Sequence, residues 1–385
     1  MFAKRIVPLL MAAVVAVGFP GAAKAETAAV TTDAKAAILI DNATGQVLYE
    51  NNANEKMPVS GVGKMMTLYI ALEAMKDGRI TQDTEITVSR KAAGMGGAQA
   101  FLDAEARYRA DDLIKAVSMI SANDAAVALA ETLEVSEEGF VAVMNDKAAE
   151  LGMNDTVYVN CTGIYAEGQV STAADIAKLG AALAQNQHYG KYGKLWIENI
   201  THSGGRETEL VNSNRLIRFY DACDGIMTGS DNQAGYCMAA TAQKSGFRLT
   251  AVVLGSANGQ ARADTAQRML DYGFNNYSSR TLIKKGDVAK RAVPISGAMQ
   301  KTTDAVADDT LAAVVQKGSE RQMKKEVIID EGLTAPLAKG DKIGTARIML
   351  DEQIIAEIDV VCQEDIEKAT VMKHFSNILK VWLHG

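Results

Sequence analysis

The chain has 385 residues, of which 48% are hydrophobic and 23% are charged, so it can bury the cores of two ordinary domains. Forty basic and 47 acidic residues give a formal net charge of −7. A chain this acidic is a poor partner for a phosphate backbone, which argues against nucleic-acid binding.

The first 25 residues predict a secretory signal peptide. Lys4 and Arg5 form the cationic start, residues 6–19 form an apolar run, and Ala23 and Ala25 are the small residues that a signal peptidase reads. The apolar run is shorter than the about 20 residues that span a bilayer, which argues against an uncleaved anchor. We therefore expect export and cleavage after Ala25.

Residues 26–276 have the pattern of an α/β domain. Apolar runs on both sides of a turn predict a hairpin over residues 36–50, and residues 247–254 predict a partly buried strand. The predicted helices are residues 64–75, 111–133 and 171–187. Because these helices separate early from late strands, we expect one sheet that joins both ends of the segment.

Residues 277–370 predict a small β-rich domain, because short alternating runs are separated by Lys-Gly-Asp turns at 285–287 and 339–341. Residues 371–385 predict an amphipathic helix. Its apolar stripe consists of Phe375, Ile378, Leu379 and Trp382. We expect this helix to bind a membrane surface and to hold the exported protein at the outer face of the cytoplasmic membrane. The alternative is a terminal helix packed on the β-rich domain.

The sequence predicts neither a metal site nor a cofactor. The four histidines are scattered and none stands in an H-E-x-x-H arrangement. The four cysteines are far apart, without a C-x-x-C pair, and are expected to be reduced, although three disulfide pairings remain open. These cysteines are Cys161, Cys223, Cys237 and Cys362.

Three segments carry the candidate chemistry. The first contains Ser60, Gly61 and Lys64 at a predicted helix start. The second begins with Ser121-Ala122-Asn123, and the third is the run Met227-Thr228-Gly229 before a predicted strand. In order and spacing, and together with the hairpin at 36–50, these segments resemble the low-molecular-mass penicillin-binding D-alanyl-D-alanine carboxypeptidases, a family of serine DD-peptidases.

The resemblance covers essentially the whole mature chain and implies both a fold and a ligand. The implied fold is α/β: a β-lactamase-like domain with an antiparallel sheet flanked by helices, then a β-rich domain and a terminal amphipathic helix. The implied ligands are peptidoglycan stem peptides that end in D-Ala-D-Ala, together with β-lactams.

Members of the family bring Ser-x-x-Lys, Ser-x-Asn and Lys-Thr-Gly to one cleft. The resemblance implies that Lys64 takes the proton of the nucleophile, and that Ser121 and Asn123 relay protons and hold substrate. It further implies that Thr228 and Gly229 line the strand that binds substrate. The backbone N–H groups of Gly61 and Ser230 are then the expected oxyanion donors.

Two positions depart from the family pattern. Gly61 stands where the nucleophilic serine belongs, and Met227 stands where the third motif has lysine. Loss of a serine nucleophile costs about a million-fold in rate, whereas loss of one charge-assisted hydrogen bond costs roughly 10- to 150-fold. The sequence therefore predicts a family member that binds wall peptides, with its acyl-transfer chemistry lost or strongly impaired.

Two alternatives stay open at this point. Ser60 precedes Lys64 by four residues and could act as a substitute nucleophile, which would make the chain an active carboxypeptidase. Relative to position 61, however, it is rotated by about 100° and set back by about 1.5 Å, and a serine at a helix start is often an N-cap. The other alternative is a non-catalytic scaffold for another wall enzyme.

Overall fold

The computed structural model describes residues 30–369. The predicted signal peptide (1–25) and the predicted terminal helix (371–385) lie outside the described residues.

The strands are β1 (Ala36–Asp41), β2 (Val47–Asn51), β3 (Glu85–Thr87), β4 (Arg107–Arg109), β5 (Ile197–Thr201), β6 (Glu207–Val211), β7 (Cys223–Asp231), β8 (Gly235–Lys244), β9 (Phe247–Ser256), β10 (Tyr277–Ile283), β11 (Val288–Pro294), β12 (Thr302–Ala307), β13 (Leu311–Gln316), β14 (Lys324–Ile329), β15 (Lys342–Leu350) and β16 (Gln353–Cys362). The helices are α1 (Lys64–Lys76), α2 (Arg90–Ala93), α3 (Ala110–Ile120), α4 (Asn123–Leu133), α5 (Glu137–Glu150), α6 (Ala173–Gln185), α7 (Tyr189–Gly193), α8 (Leu216–Phe219) and α9 (Gly259–Asn276). Two 3-10 turns span Ser60–Gly63 and Glu320–Gln322.

A five-stranded antiparallel sheet with the order β2-β1-β9-β8-β7 forms the centre of the first domain. Alternate residues of β1 enter different cores: Ile38 and Ile40 lie in the core on one face, and Ala37 and Leu39 in the core on the other. Helices α1, α4 and α6 contribute to the first core, and α9 contributes to the second. A strand covered on both faces reads as a continuous apolar run, as β1 does.

The predicted hairpin is confirmed, and so is the prediction that one sheet joins both ends of the segment 26–276. β1 pairs with β2 within residues 36–51, and β1 also pairs with β9, with Ala37 opposite Val253. The predicted helix 111–133 is instead two helices, because Ser121 adopts a left-handed conformation with φ of 57°. This break ends α3 and lets α4 begin at Asn123, so both side chains stand at helix ends.

Beyond α9 the chain is built of strands. β10 pairs with β13, and a second antiparallel sheet has the order β11-β12-β16-β15-β14. A separate apolar core fills this domain, and it includes Ile343, Ile348 and Val360 from the predicted alternating runs. Both Lys-Gly-Asp turns place their glycine at positive φ, 83° at Gly286 and 91° at Gly340, where a side chain would be strained.

All four cysteines are buried and free. In residues 30–369 no helix is long and apolar enough to cross a bilayer.

Candidate functional site

A cleft of about 450 Å³ lies between the 3-10 turn before α1, the α3–α4 junction and the edge strand β7. The sequence-predicted residues that line it are Ser60, Gly61, Lys64, Ser121, Asn123, Thr228, Gly229 and Ser230. Residues about 60 and 170 positions apart in the chain therefore meet at one site, as the order of the three motifs predicts.

Lys64 is the buried cation of the cleft, with 3% of its surface exposed. Its ammonium donates to Asn123 Oδ1 at 2.8 Å and also to the carbonyl oxygen of Thr162. Burial lowers the pKa of Lys64 to about 7, because the charged form loses its hydration. Near neutral pH the amine is thus held in place by two acceptors and is available to take a proton.

Position 61 faces the other two motifs. A Cβ placed on Gly61 would lie 2.9 Å from Ser121 Oγ and 3.2 Å from the Cα of Gly229. The Ser121 hydroxyl donates to the Gly61 carbonyl oxygen at 3.3 Å. A side-chain hydroxyl at position 61 would therefore stand at the convergence of the three motifs, whereas glycine places no hydroxyl there.

Ser60 does not cap a helix, so the N-cap expectation is wrong. It lies inside the 3-10 turn with φ of 49°, whereas Val59 precedes the turn and Gly63 precedes α1, neither with a side-chain cap bond. Ser60 lines the cleft, but no hydrogen bond joins its hydroxyl to Lys64 among the described residues. In a 3-10 turn, the side-chain directions of neighbouring residues differ by about 120°, so a side chain at position 61 would not point where that of Ser60 points.

The α3–α4 junction also builds one wall of the cleft. Asn123 Nδ2 donates to the Gly96 carbonyl at 2.7 Å, and the buried Asp124 carboxylate accepts from the N–H groups of Ala100 and Leu102 at 3.0 and 3.1 Å. These bonds fix the segment that carries Gly97 and Ala98, both of which line the cleft. Asp124 was not predicted, although an acidic residue in the first turn of a helix is a recognisable signal.

The residues of the third motif lie in two environments, the cleft and the apolar core. Thr228 lines the cleft and donates from its hydroxyl to Ser213 Oγ at 2.9 Å. Met227 is 1% exposed, belongs to the main apolar core and is not among the cleft-lining residues. Met227 is thus part of the packing beneath the cleft.

Arg262 is a cleft residue that the sequence motifs did not reveal. Its Nη1 donates to the carbonyl oxygens of Gly229 and Cys237 at 2.9 and 3.2 Å, and its guanidinium lies 5.6 Å from the centre of the Tyr236 ring. In the described part of the chain no carboxylate pairs with it. Its position in α9, outside all three motifs, explains why only the fold brings it to the site.

The cleft has the groups to bind a peptide and to polarise a carbonyl, and position 61, three residues before Lys64, is a glycine. β7 is an edge strand, and its Thr228–Asp231 stretch lines the cleft, so an extended peptide can pair with it. Arg262 and, when it is protonated, Lys64 give the cleft positive charge beside the Asp231 carboxylate. Within residues 30–369 no three metal-binding side chains come together.

Comparisons with known proteins agree with this geometry. Residues 22–258 match the family model described as D-alanyl-D-alanine carboxypeptidase, and residues 277–368 match the model of the penicillin-binding protein 5 C-terminal domain. The chain is 32% identical over 385 residues to the D-alanyl-D-alanine carboxypeptidase DacF of Bacillus subtilis, covering 98% of this chain and 99% of that one. It is 31% identical to DacC of Escherichia coli, covering 90% and 88% of the two chains.

Solved structures give the same result. Penicillin-binding protein 5 of Haemophilus influenzae is similar with a TM-score of 0.80 at 27% identity, covering 88% of this chain and 98% of that one. Penicillin-binding protein D2 of Listeria monocytogenes, in an ampicillin-bound form, is similar with a TM-score of 0.57 at 27% identity, covering 64% and 99%.

Proposed function

This chain belongs to the D-alanyl-D-alanine carboxypeptidase family, and from that premise we propose that it binds peptidoglycan stem peptides without efficient acyl transfer. One observation carries the proposal: Gly61 occupies the point where the three motifs converge, so a bound peptide meets no hydroxyl from position 61, three residues before Lys64. Such a loss costs about a million-fold in rate, which removes turnover but leaves the binding surfaces intact.

The retained residues support binding rather than a bare scaffold. Lys64 and Asn123 keep their mutual hydrogen bond, and Thr228 keeps its place on the edge strand. A scaffold without a ligand would not need a buried lysine, because taking its amine out of water costs free energy and lowers its pKa. In the proposed complex the peptide pairs with β7, and Arg262 and Thr228 face its terminal carboxylate.

The second candidate is an active carboxypeptidase that uses Ser60 with Lys64. Its support is that Ser60 lines the same cleft. Against it stands the hydrogen bonding of Lys64, whose ammonium contacts Asn123 and Thr162 rather than Ser60. Since misplacement of a nucleophile by about 1 Å can cost a hundred-fold, Ser60 is a poor substitute.

We place the protein at the cell envelope, with export through residues 1–25, a peptide-binding domain over 26–276, a β-rich domain over 277–370 and membrane attachment through 371–385. β-Lactams are expected to occupy the cleft reversibly, since a related protein has been solved with ampicillin.

The test measures binding and turnover of one soluble peptide that ends in D-Ala-D-Ala. Calorimetry should give saturable binding, and release of D-Ala should stay at the rate of the uncatalysed reaction. Release of D-Ala that is abolished by Ser60→Ala would establish the second candidate, and absence of binding would leave the scaffold role.

A further inference from the structure

A cluster of aromatic and basic side chains lies where the β5–β6 hairpin meets α8. The rings of Trp196 and Phe219 pack edge to face with centroids 6.4 Å apart. The Arg218 guanidinium lies 5.6 Å from the Trp196 ring and 5.8 Å from the Phe219 ring, and Arg215 lies 5.5 Å from the Phe219 ring. We call these four residues the platform.

The platform is exposed and has no partner within the described chain. Phe219 is 62% exposed, and the adjacent Ile197 and Val211 are 48% and 40% exposed. Arg215 and Arg218 make contacts to the rings but pair with no carboxylate in residues 30–369. An exposed apolar patch with two unpaired cations is a feature of a binding surface rather than of a solvated face.

The platform lies close to the cleft along the chain. Ser213 lines the cleft, accepts a hydrogen bond from Thr228 and donates from its backbone N–H to the Met119 carbonyl at 2.8 Å. From Ser213 to the start of α8 the chain spans at most about 11 Å, and α8 adds about 5 Å. Phe219 is therefore within about 16 Å of the cleft wall, whereas an extended five-residue stem peptide spans up to about 17 Å.

The side chains of the platform match the polymer to which a stem peptide is attached. Aromatic rings offer apolar faces against which the C–H faces of sugar rings can lie, and guanidinium groups bind carboxylates in a bidentate manner. A membrane of anionic lipid is the less suitable partner, because its extended surface would also bring headgroups against the exposed Glu207 and Glu209 of the same hairpin. A stem-peptide carboxylate is a single small group that needs to contact only Arg215 and Arg218.

We infer that the platform binds the glycan strand and stem-peptide carboxylates of peptidoglycan while the end of the same stem peptide occupies the cleft. This inference rests on the proposed function, because the platform would be a second contact to the polymer whose stem peptide binds in the cleft. Two linked contacts raise the overall affinity for the polymer above that for a free peptide.

The test compares insoluble peptidoglycan with a soluble D-Ala-D-Ala peptide. Co-sedimentation of the full-length protein with purified sacculi should weaken about fivefold or more in the double variant Arg218→Ala, Phe219→Ala, as expected for truncated interface anchors. Calorimetric affinity for the soluble peptide should stay unchanged. Lys244→Ala is the matched control, because Lys244 also lies over two aromatic rings, those of Tyr220 and Phe274, and should sediment like wild type.

Phe219→Tyr keeps the ring and should retain sedimentation, which separates recognition from a folding defect. Unchanged sedimentation of the double variant would overturn the inference. The inference would also be overturned if the double variant lost co-sedimentation with phosphatidylglycerol vesicles but kept co-sedimentation with sacculi. That result would assign the platform to a membrane. If the soluble peptide does not bind even to wild type while sedimentation still depends on the platform, the proposed function fails and the glycan contact stands.

Discussion

A serine at position 61 should restore a nucleophile to the cleft at a modest cost in stability. The new Cβ would lie 2.9 Å from Ser121 Oγ, 3.2 Å from the Gly229 Cα and 3.4 Å from the Thr228 carbonyl oxygen. The Ser121 hydroxyl can rotate away, whereas the backbone of Gly229 must yield by a few tenths of an ångström. Overpacking of this kind typically costs about 1–3 kcal/mol, so Gly61→Ser should fold with a lowered melting temperature.

The expected gain in the acylation rate depends on the new serine, on Lys64 and on the absence of a lysine at position 227. A serine nucleophile is worth about a million-fold, and Lys64 stands three residues away to take its proton. The missing cation at Met227 withholds roughly 10- to 150-fold. Gly61→Ser should therefore be acylated by a β-lactam about 10⁴- to 10⁵-fold faster than wild type.

The assay is a time course of intact mass with a slowly hydrolysed penicillin, and Gly61→Ala is the matched control. Alanine introduces the same Cβ and the same crowding without a hydroxyl, so it should gain no mass. If Gly61→Ser is folded, with a wild-type circular dichroism spectrum, and remains unacylated, the reasoning that places the nucleophile at position 61 is refuted. Equal acylation of wild type would refute it as well.

Restoring the cation tests the third motif separately. Gly61→Ser with Met227→Lys should acylate up to roughly 10- to 150-fold faster than Gly61→Ser alone. Because Met227 is buried in the core, the new ammonium must be desolvated, and the double variant should be less stable than the single one. A double variant that is folded but no faster would show that the site no longer uses a charge at this position.

Three further predictions concern protonation, the cleft wall and the terminus. The acylation rate of Gly61→Ser should rise as the pH is raised from 6 to 8, because the pKa of Lys64 is about 7 and only the neutral amine accepts a proton; a flat pH–rate profile would exclude Lys64 as the base. Asp124→Asn should lower the free energy of unfolding by about 1–3 kcal/mol and weaken peptide binding. The reason is that the N–H of Leu102 or of Ala100 loses its carboxylate acceptor, and an unchanged denaturation curve and peptide affinity would contradict this. A protein ending at Glu367 should no longer co-sediment with liposomes, whereas equal partitioning would indicate a packed terminal helix.

Local sequence patterns predicted part of the fold but not the long helices α5 and α9. The strand over 247–254, the hairpin over 36–50 and the β-rich segment after residue 276 follow from alternation and turn residues, which act over a few positions. The break at Ser121 was missed, since its neighbours favour helix and a residue other than glycine seldom adopts the left-handed conformation that ends α3. Ser60 was misassigned as an N-cap, because its backbone conformation depends on the packing of the turn before α1.

The sequence predicted only those site residues that belong to one of the three motifs. Lys64, Asn123 and Thr228 come together as their motifs imply. Arg262 lies in α9, outside every motif, so the three-dimensional fold is needed to bring it to the cleft. The platform around α8 is likewise assembled from residues that belong to no motif. The burial of Met227 likewise depends on which face of β7 meets the core.

The most direct measurement of the central claim is the intact mass of the wild-type protein after long incubation with excess β-lactam, with Gly61→Ser treated in parallel. We expect an unchanged mass for wild type and one added β-lactam for the variant. A stable adduct on wild-type Ser60, located by peptide mapping, would contradict the account and identify the protein as an active acyl-transfer enzyme.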